Sequence, residues 1–264
     1  MKRFGLIGHP IAHSLSPALF KAGYDGRYPY ELIETSDFED AYGRFLQEYD
    51  GINVTAPFKE LAFRKADILS EECQKIGATN LLIKTPEGIK AYNSDYLGVR
   101  LWLEEAVATL FESHSRPTTL VVGLGGAGKA AAEAARSLGS DTILMNRTLH
   151  HDGIRPLEDF CRCFREADII IYNIPTAIPQ LAELTDYDFR GIAEKDDRQV
   201  RPKFILEANY KNPSFDNILI DKMKQANPQS TYTSGKRWLL YQALTGYEIF
   251  TGEKPDLAKM SAVI

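Results

Sequence analysis

Gly123, Gly125 and Gly128 stand in G-x-G-x-x-G spacing within Val121-Val122-Gly123-Leu124-Gly125-Gly126-Ala127-Gly128, between an apolar run and an alanine-rich one. Glycines so placed permit a tight turn and a close backbone approach, while the following helix offers N–H groups and the positive end of its dipole to a pyrophosphate. The alternative is a glycine-rich turn that only packs helix against strand; the flanking strand and helix patterns favour the dinucleotide. The next strand, which ends in Asp or Glu where a ribose 2′-hydroxyl is held, here ends in Asn146-Arg147-Thr148. A carboxylate would repel a 2′-phosphate and a guanidinium can grip it, so the cofactor reads as NADP rather than NAD. The competing reading of Arg147 is a solvated surface arginine. His150 and His151 follow without an Asp, Glu or Cys at ligand spacing, so they read as surface loop residues and no metal site is expected.

Four polar clusters in the first hundred residues could hold the second reactant. Ser14 and Ser16 precede Pro17 and a helix pattern, where carboxylate binding is physically favoured, although Ser16 could serve simply as an N-cap. Asn53-Val54-Thr55-Ala56-Pro57-Phe58-Lys59 places an amide, a hydroxyl and an ammonium at the carboxyl end of a strand, the edge where open α/β sheets bind ligands. Lys59 in a first helical turn opposes the helix dipole, which hints that something else fixes it. Gly77-Ala78-Thr79-Asn80 and Ala91-Tyr92-Asn93-Ser94-Asp95 complete the set; taken alone, Asp95 could be no more than a cap or a first-turn acid.

These residues need an α/β framework. Phe4 to Ile7, Tyr28 to Ile33 and Gly51 to Thr55 read as strands separated by helices from Pro17 and Asp37, with Pro57 expected at a helix N1 position. Asn80 to Lys84 and Ile89 to Asn93 flank Pro86-Glu87-Gly88 as a hairpin. One helix is expected from Asp95 to about Phe111 and a linker over Glu112 to Pro117. Beyond it, strands at Thr118 to Gly123, Thr142 to Asn146, Asp168 to Tyr172, Lys203 to Glu207 and Thr231 to Thr233 accompany helices at Ala127 to Leu138, Pro156 to Glu166 and Gly235 to Phe250.

The 264 residues carry 31 Lys and Arg against 36 Asp and Glu, a net charge of −5, with 44% hydrophobic residues. That balance supplies no electrostatic footprint for nucleic acid or an anionic membrane. No apolar run is long enough to span a bilayer or serve as a secretory signal, so the expected compartment is the cytoplasm. Cys73, Cys161 and Cys163 are odd in number and lack C-x-x-C spacing, which suggests reduced thiols.

In order, the clusters resemble the shikimate dehydrogenase family over nearly the whole chain. G-x-P-x-x-H-S-x-S-P is matched by Gly8, Pro10, His13, Ser14, Ser16 and Pro17; N-V-T-x-P-x-K by Asn53 through Lys59; G-A-x-N by Gly77, Ala78 and Asn80. Asn93-Ser94-Asp95-Tyr96-Leu97-Gly98 follows N-T-D-x-x-G with serine for threonine, and Gly235, Leu239, Gln242 and Ala243 fit G-x-x-x-L-x-x-Q-A. The resemblance implies reversible NADPH-dependent reduction of 3-dehydroshikimate to shikimate. It implies Lys59 and Asp95 as the catalytic pair and Ser14, Ser16, Asn53, Thr55, Asn80, Tyr210 and Gln242 as substrate-binding residues. Gly123, Gly125, Gly126, Ala127, Asn146, Arg147, Thr148 and Gly235 would bind NADP. Departures concentrate in the cofactor half. The helix after Asn146-Arg147-Thr148 is missing, Asn173-Ile174-Pro175-Thr176 replaces N-A-T, and Glu207-Ala208-Asn209-Tyr210 replaces D-x-x-Y.

The expected architecture is two α/β domains with a cleft between them. Residues 1 to 100, completed by 235 to 264, would bind substrate, and residues 101 to 234 would form a Rossmann-like NADP-binding domain. A monomer or homodimer acting on a small molecule is expected, without nucleic acid or membrane. The alternatives are a quinate-using or NAD-using relative and a non-catalytic sensor of shikimate-like ligands; the presence of both Lys59 and Asp95 argues against the sensor.

Overall fold

The structure is a computed structural model and describes residues 1–112, 116–149, 152–191 and 201–264. It divides into two compact units, Met1–Gly98 with Leu239–Ile264, and Val99–Trp238. His150, His151 and the centre of the expected linker lie outside the described residues.

The first unit opens with β1 (Phe4–Gly8), α1 (Ser16–Gly23), β2 (Tyr30–Glu34), α2 (Phe38–Glu48) and β3 (Gly51–Val54). Asp37 caps α2 by accepting from the backbone N–H groups of Glu39 at 2.9 Å and Asp40 at 3.2 Å. Next come α3 (Lys59–Lys65), β4 (Ile68–Leu69), α4 (Glu71–Ile76), β5 (Leu81–Thr85), β6 (Gly88–Tyr92) and α5 (Ser94–Ala106). Pro57 is not the N1 residue of α3. It lies in a turn closed by the Phe58 N–H on Thr55 O at 2.9 Å, so Lys59 becomes the first helical residue. Ser16 is not an N-cap either: Leu15 occupies that position, and Ser16 opens α1. The expected single helix from Asp95 is interrupted at buried Val107, with α6 (Ala108–Glu112) beyond it.

The second unit continues with β7 (Thr118–Val122), α7 (Gly126–Ser137), β8 (Asp141–Met145), β9 (Ile154–Arg155), α8 (Phe160–Glu166), β10 (Ile169–Tyr172) and α9 (Asp186–Arg190). It ends with β11 (Phe204–Glu207), α10 (Asn217–Ala226), β12 (Thr231–Thr233) and the start of α11 (Gly235–Thr251). The rest of α11 and α12 (Leu257–Ser261) return to the first unit.

The first sheet has the order β2-β1-β3-β5-β6-β4. β2, β1 and β3 are parallel; β5 and β6 form an antiparallel hairpin beside β3. One face carries Ile7, Ile52, Val54 and Leu82 against Phe45 of α2, Ala62 of α3 and Cys73 of α4. The other carries Phe4 and Leu81 against Phe20, Leu240, Tyr247 and Phe250. Alternating side chains of β1 thus bury both faces, as an internal parallel strand requires.

The second sheet has the order β12-β11-β10-β7-β8-β9, with every pairing parallel. Numbered from β7, this is the 3-2-1-4-5-6 order of a dinucleotide-binding sheet. Its third strand is reduced to two residues, and among the described residues no helix separates β8 from β9. α7 packs through buried Ala130, Ala131, Ala134 and Ala135, whose small side chains let it lie close to the sheet. Lys203, 1% exposed, donates from Nζ to Arg165 O at 2.7 Å and Ala167 O at 2.5 Å, satisfying carbonyls at the end of α8. Burial pulls its ammonium down to about 8.

Candidate active site

The polar clusters of the first unit meet because of strand direction. β1 and β3 end at Gly8 and Val54; β5 is antiparallel to β3, so Leu81 at its start pairs with Asn53, and with Tyr92 at the end of β6. The loops after β1, after β3, before β5 and after β6 therefore emerge at one sheet edge. A Cβ at Gly8 would stand 2.4 Å from Thr55 Cγ2, so only glycine lets the loop bearing Ser14 pass the one bearing Thr55. The two loops are joined by the His9 N–H on Ala56 O at 3.2 Å.

Lys59 and Asp95 form a direct ion pair, with side chains only 18% and 8% exposed. Asp95 is not the cap of α5. That role falls to Asn93, whose Oδ1 accepts from the Tyr96 N–H at 3.1 Å while Nδ2 donates to Ala78 O at 3.1 Å. A buried carboxylate beside a lysine at the start of α3 explains how an ammonium is held against that helix dipole.

Asn80 is 6% exposed, and its Oδ1 accepts from Ser94 N at 2.7 Å and Ser94 Oγ at 3.2 Å. Its amide N–H groups are thereby turned away from Ser94. Thr79 beside it is fully buried, its hydroxyl set against Tyr92 O at 2.5 Å and Leu81 O at 3.0 Å. Asn53 donates from Nδ2 to Asn80 O at 3.2 Å and accepts the Tyr30 phenol on Oδ1 at 2.7 Å. Ser14 donates its hydroxyl to Ser16 Oγ at 3.1 Å and accepts the Ser16 N–H at 3.2 Å, which sets both hydroxyls at the start of α1. Gln242 is placed by close passage of α5 and α11: a Cβ on Gly98 would lie 2.7 Å from Gln242 N, and one on Gly246 3.2 Å from Ser94 Cβ.

Tyr210 belongs to the second unit, half-buried in the loop after β11, and burial pushes its phenol upward. Asn209 secures that loop, donating to Pro175 O at 2.8 Å and Asn212 O at 2.6 Å. Glu207, fully buried, accepts from Ser214 N at 2.5 Å, Phe215 N at 3.3 Å and the Tyr232 phenol at 2.8 Å, closing the loop on itself.

The residues expected to bind the dinucleotide also lie within the second unit. Gly123 takes φ +88°, and a Cβ on Gly128 would sit 1.8 Å from Gly123 O. Gly125 is the N-cap of α7, and a Cβ there meets nothing within 4 Å, leaving room for a ligand against the backbone. Asn146 ties this loop to the turn after β8, accepting the Leu124 N–H at 3.3 Å and donating to Thr148 O at 3.0 Å. Arg147 and Thr148 are exposed there. Gly126 and Ala127 begin α7. Gly235 begins α11 with its Cα against β11: a Cβ would lie 2.2 Å from Ala208 O. A glycine loop, an open helix N-terminus and a flanking arginine together suit a phosphorylated dinucleotide.

Tyr30 is the supporting residue that sequence reading does not single out; Thr79 and Ser94 stand within the polar clusters but are given no role of their own there. Among the described residues, no group of three or more His, Cys, Asp or Glu could hold a metal ion, and no helix is long and apolar enough to cross a membrane. Cys73 and Cys163 are buried, Cys161 half-buried, and all three are free thiols.

The profile of the shikimate dehydrogenase substrate binding domain matches residues 6–82. A shikimate dehydrogenase (NADP(+)) of Archaeoglobus fulgidus is 30% identical over 274 residues, covering 98% of this chain and 96% of the relative. One from Pyrococcus furiosus is 29% identical over 279 residues, covering 99% and 94%. Among solved structures, shikimate 5-dehydrogenase from Thermus thermophilus in complex with NADP(H) and shikimate superposes with a TM-score of 0.76 at 26% identity, covering 100% of this chain and 98% of the other. With its relatives aligned along almost their whole length, and its polar clusters gathered at the sheet edge, the chain belongs to the shikimate dehydrogenase family.

Proposed function

We propose that this chain is an NADP-dependent shikimate dehydrogenase that reversibly reduces 3-dehydroshikimate to shikimate. The Lys59–Asp95 pair carries the reading: an ammonium and a buried carboxylate in contact, at the sheet edge that also presents Ser14, Ser16, Thr55, Asn80 and Gln242. NADPH supplies the hydride. Charge then develops on the former ketone oxygen, and Lys59 stabilises it and delivers a proton to it. Asp95 holds the ammonium and accepts from a substrate hydroxyl. Ser14 and Ser16 bind the substrate carboxylate; Asn80, Gln242 and Tyr210 hold ring hydroxyls. Asn53 and Thr55 line the same edge. Gly123, Gly125, Gly126 and Ala127 bind the pyrophosphate, Asn146, Arg147 and Thr148 the adenosine end, and Gly235 allows close approach beside β11. We place the enzyme in the cytoplasm, as a monomer or homodimer.

Initial rates of the purified protein with shikimate or quinate, each against NADP and NAD, test this reading. The expected result is turnover of shikimate with NADP well above the other three combinations; a preference for quinate would replace the substrate assignment. Arg147→Ala should weaken NADPH by about tenfold or more, the worth of a charge-assisted contact to phosphate, and leave NADH nearly unchanged because only the former carries the 2′-phosphate. Equal losses for the two cofactors would show that Arg147 does not read that group.

A further inference from the structure

We propose that Tyr30 is a positioning residue of the substrate site, acting through Asn53; this rests on the shikimate dehydrogenase reading. Tyr30 opens β2, opposite Phe4 of β1, and its ring packs against Phe20 at 4.8 Å and Tyr247 at 5.8 Å between centroids. Out of this aromatic cluster its hydroxyl donates to Asn53 Oδ1 at 2.7 Å. A primary amide can be turned end for end at almost no steric cost, so its orientation is set by its partners. With Oδ1 committed to Tyr30, Nδ2 must face Asn80, and it donates to Asn80 O at 3.2 Å. The reversed amide would set two carbonyl oxygens against each other.

Asn80 is held from the far side as well, through Ser94 beside Asp95. The resulting chain runs from Tyr30 through Asn53 and Asn80 to the residue preceding the proposed catalytic carboxylate. Tyr247 acts in parallel, donating to Ser16 O at 3.1 Å. Burial holds the Tyr30 phenol well above the ordinary tyrosine range, so it stays a donor at working pH. The aromatic cluster thus sets the orientation of the Asn53 amide through a hydroxyl that no substrate atom needs to touch.

Tyr30→Phe keeps the ring and removes only the donor. The wild type, Tyr30→Phe, Asn53→Ala and the double variant are compared by steady-state kinetics with shikimate and NADP. Exchange of the Asn53 side-chain amide protons is followed by NMR and assigned by their loss in Asn53→Ala. The expected result is a rise of about tenfold in KM for shikimate, the worth of one buried hydrogen bond, with kcat and the KM for NADP little changed. The double variant should be no worse than Asn53→Ala, and amide exchange should quicken in Tyr30→Phe. Unchanged exchange overturns the proposal whether or not the protein oxidises shikimate, whereas a wild type without that activity overturns the functional reading and leaves the exchange result decisive for Tyr30. A fall in melting temperature with KM unmoved, or KM losses that add in the double variant, would likewise overturn it.

Discussion

Replacing Lys59 by alanine is expected to lower kcat by about 10²- to 10⁴-fold, the range for loss of a positioned acid/base group, and to leave the KM for shikimate within a few-fold. The expectation follows from what the ammonium does at each stage. In the bound ketone there is little charge for it to meet, whereas in the transition state an oxygen is becoming an alkoxide, so its worth lies almost wholly in the barrier. Asp95→Asn preserves shape and removes the charge that holds the ammonium, and should fall in the same range. Because Lys59 and Asp95 are in direct contact, they act as one unit, and the double variant should be little worse than the worse single one. Ser14→Ala and Ser16→Ala are the contrast: a carboxylate is bound equally before and during hydride transfer, so their losses should appear in KM. Near-normal turnover by Lys59→Ala would remove the lysine from the chemistry and require a different acid.

How far that pair is legible in the sequence depends on which kind of signal each residue carries. Lys59 and Asp95 lie in separate clusters, and nothing in residue-level reading brings them together; family resemblance pairs them, and the strand directions explain how they meet. An ammonium at the start of α3 is legible as a local conflict with the helix dipole, and the structure supplies its physical resolution in a carboxylate from another element. Tyr30 and its bond to Asn53 are harder. The tyrosine reads simply as an aromatic residue in a strand, and its hydrogen bond spans 23 positions of chain. A tertiary contact of that kind leaves no periodicity to find.

The helical and strand framework is readable where apolar residues repeat or a cap is explicit, as at Asp37. It is not readable at β4 and α4, because two strand residues and six helical ones are too few to show a period. Their signals lie in the punctuation instead: Ser70 at the N-cap, Glu71 and Glu72 in the first turn, Lys75 in the last, and Gly77 at φ +72°. Pro57 misleads for a different reason. Proline suits both a helix N1 and a turn, and the closing bond from Phe58 to Thr55, which decides between them, is invisible in composition. In the second unit, the shortening after Thr148 is readable from the family resemblance and the length of the segment, and among the described residues no helix separates β8 from β9. That a third strand survives as Ile154–Arg155, beside β8, is not, since two residues in a loop have no strand pattern.

The glycines of the second unit separate folding from binding, and Gly125→Ala and Gly128→Ala should behave differently. A Cβ on Gly125 has no protein atom within 4 Å. Its backbone is already in an extended conformation open to any residue, with φ −67° and ψ −174°. Gly125→Ala should therefore leave the melting temperature unchanged. The added methyl does occupy the space at the N-terminus of α7 where a pyrophosphate would rest, so the Kd for NADP should rise by about 10²-fold through loss of close backbone approach. At Gly128 the Cβ would stand 1.8 Å from Gly123 O, and Gly123 is itself held at φ +88° against Asn173 and Ile174. The loop cannot yield without unpacking from the end of β10, so Gly128→Ala should lose both cofactor affinity and thermal stability. Calorimetric titration with NADP alongside thermal melts reads both quantities. Gly125→Ala with wild-type affinity would show that the cofactor does not rest on this helix terminus, and the dinucleotide site would have to be sought elsewhere on the sheet.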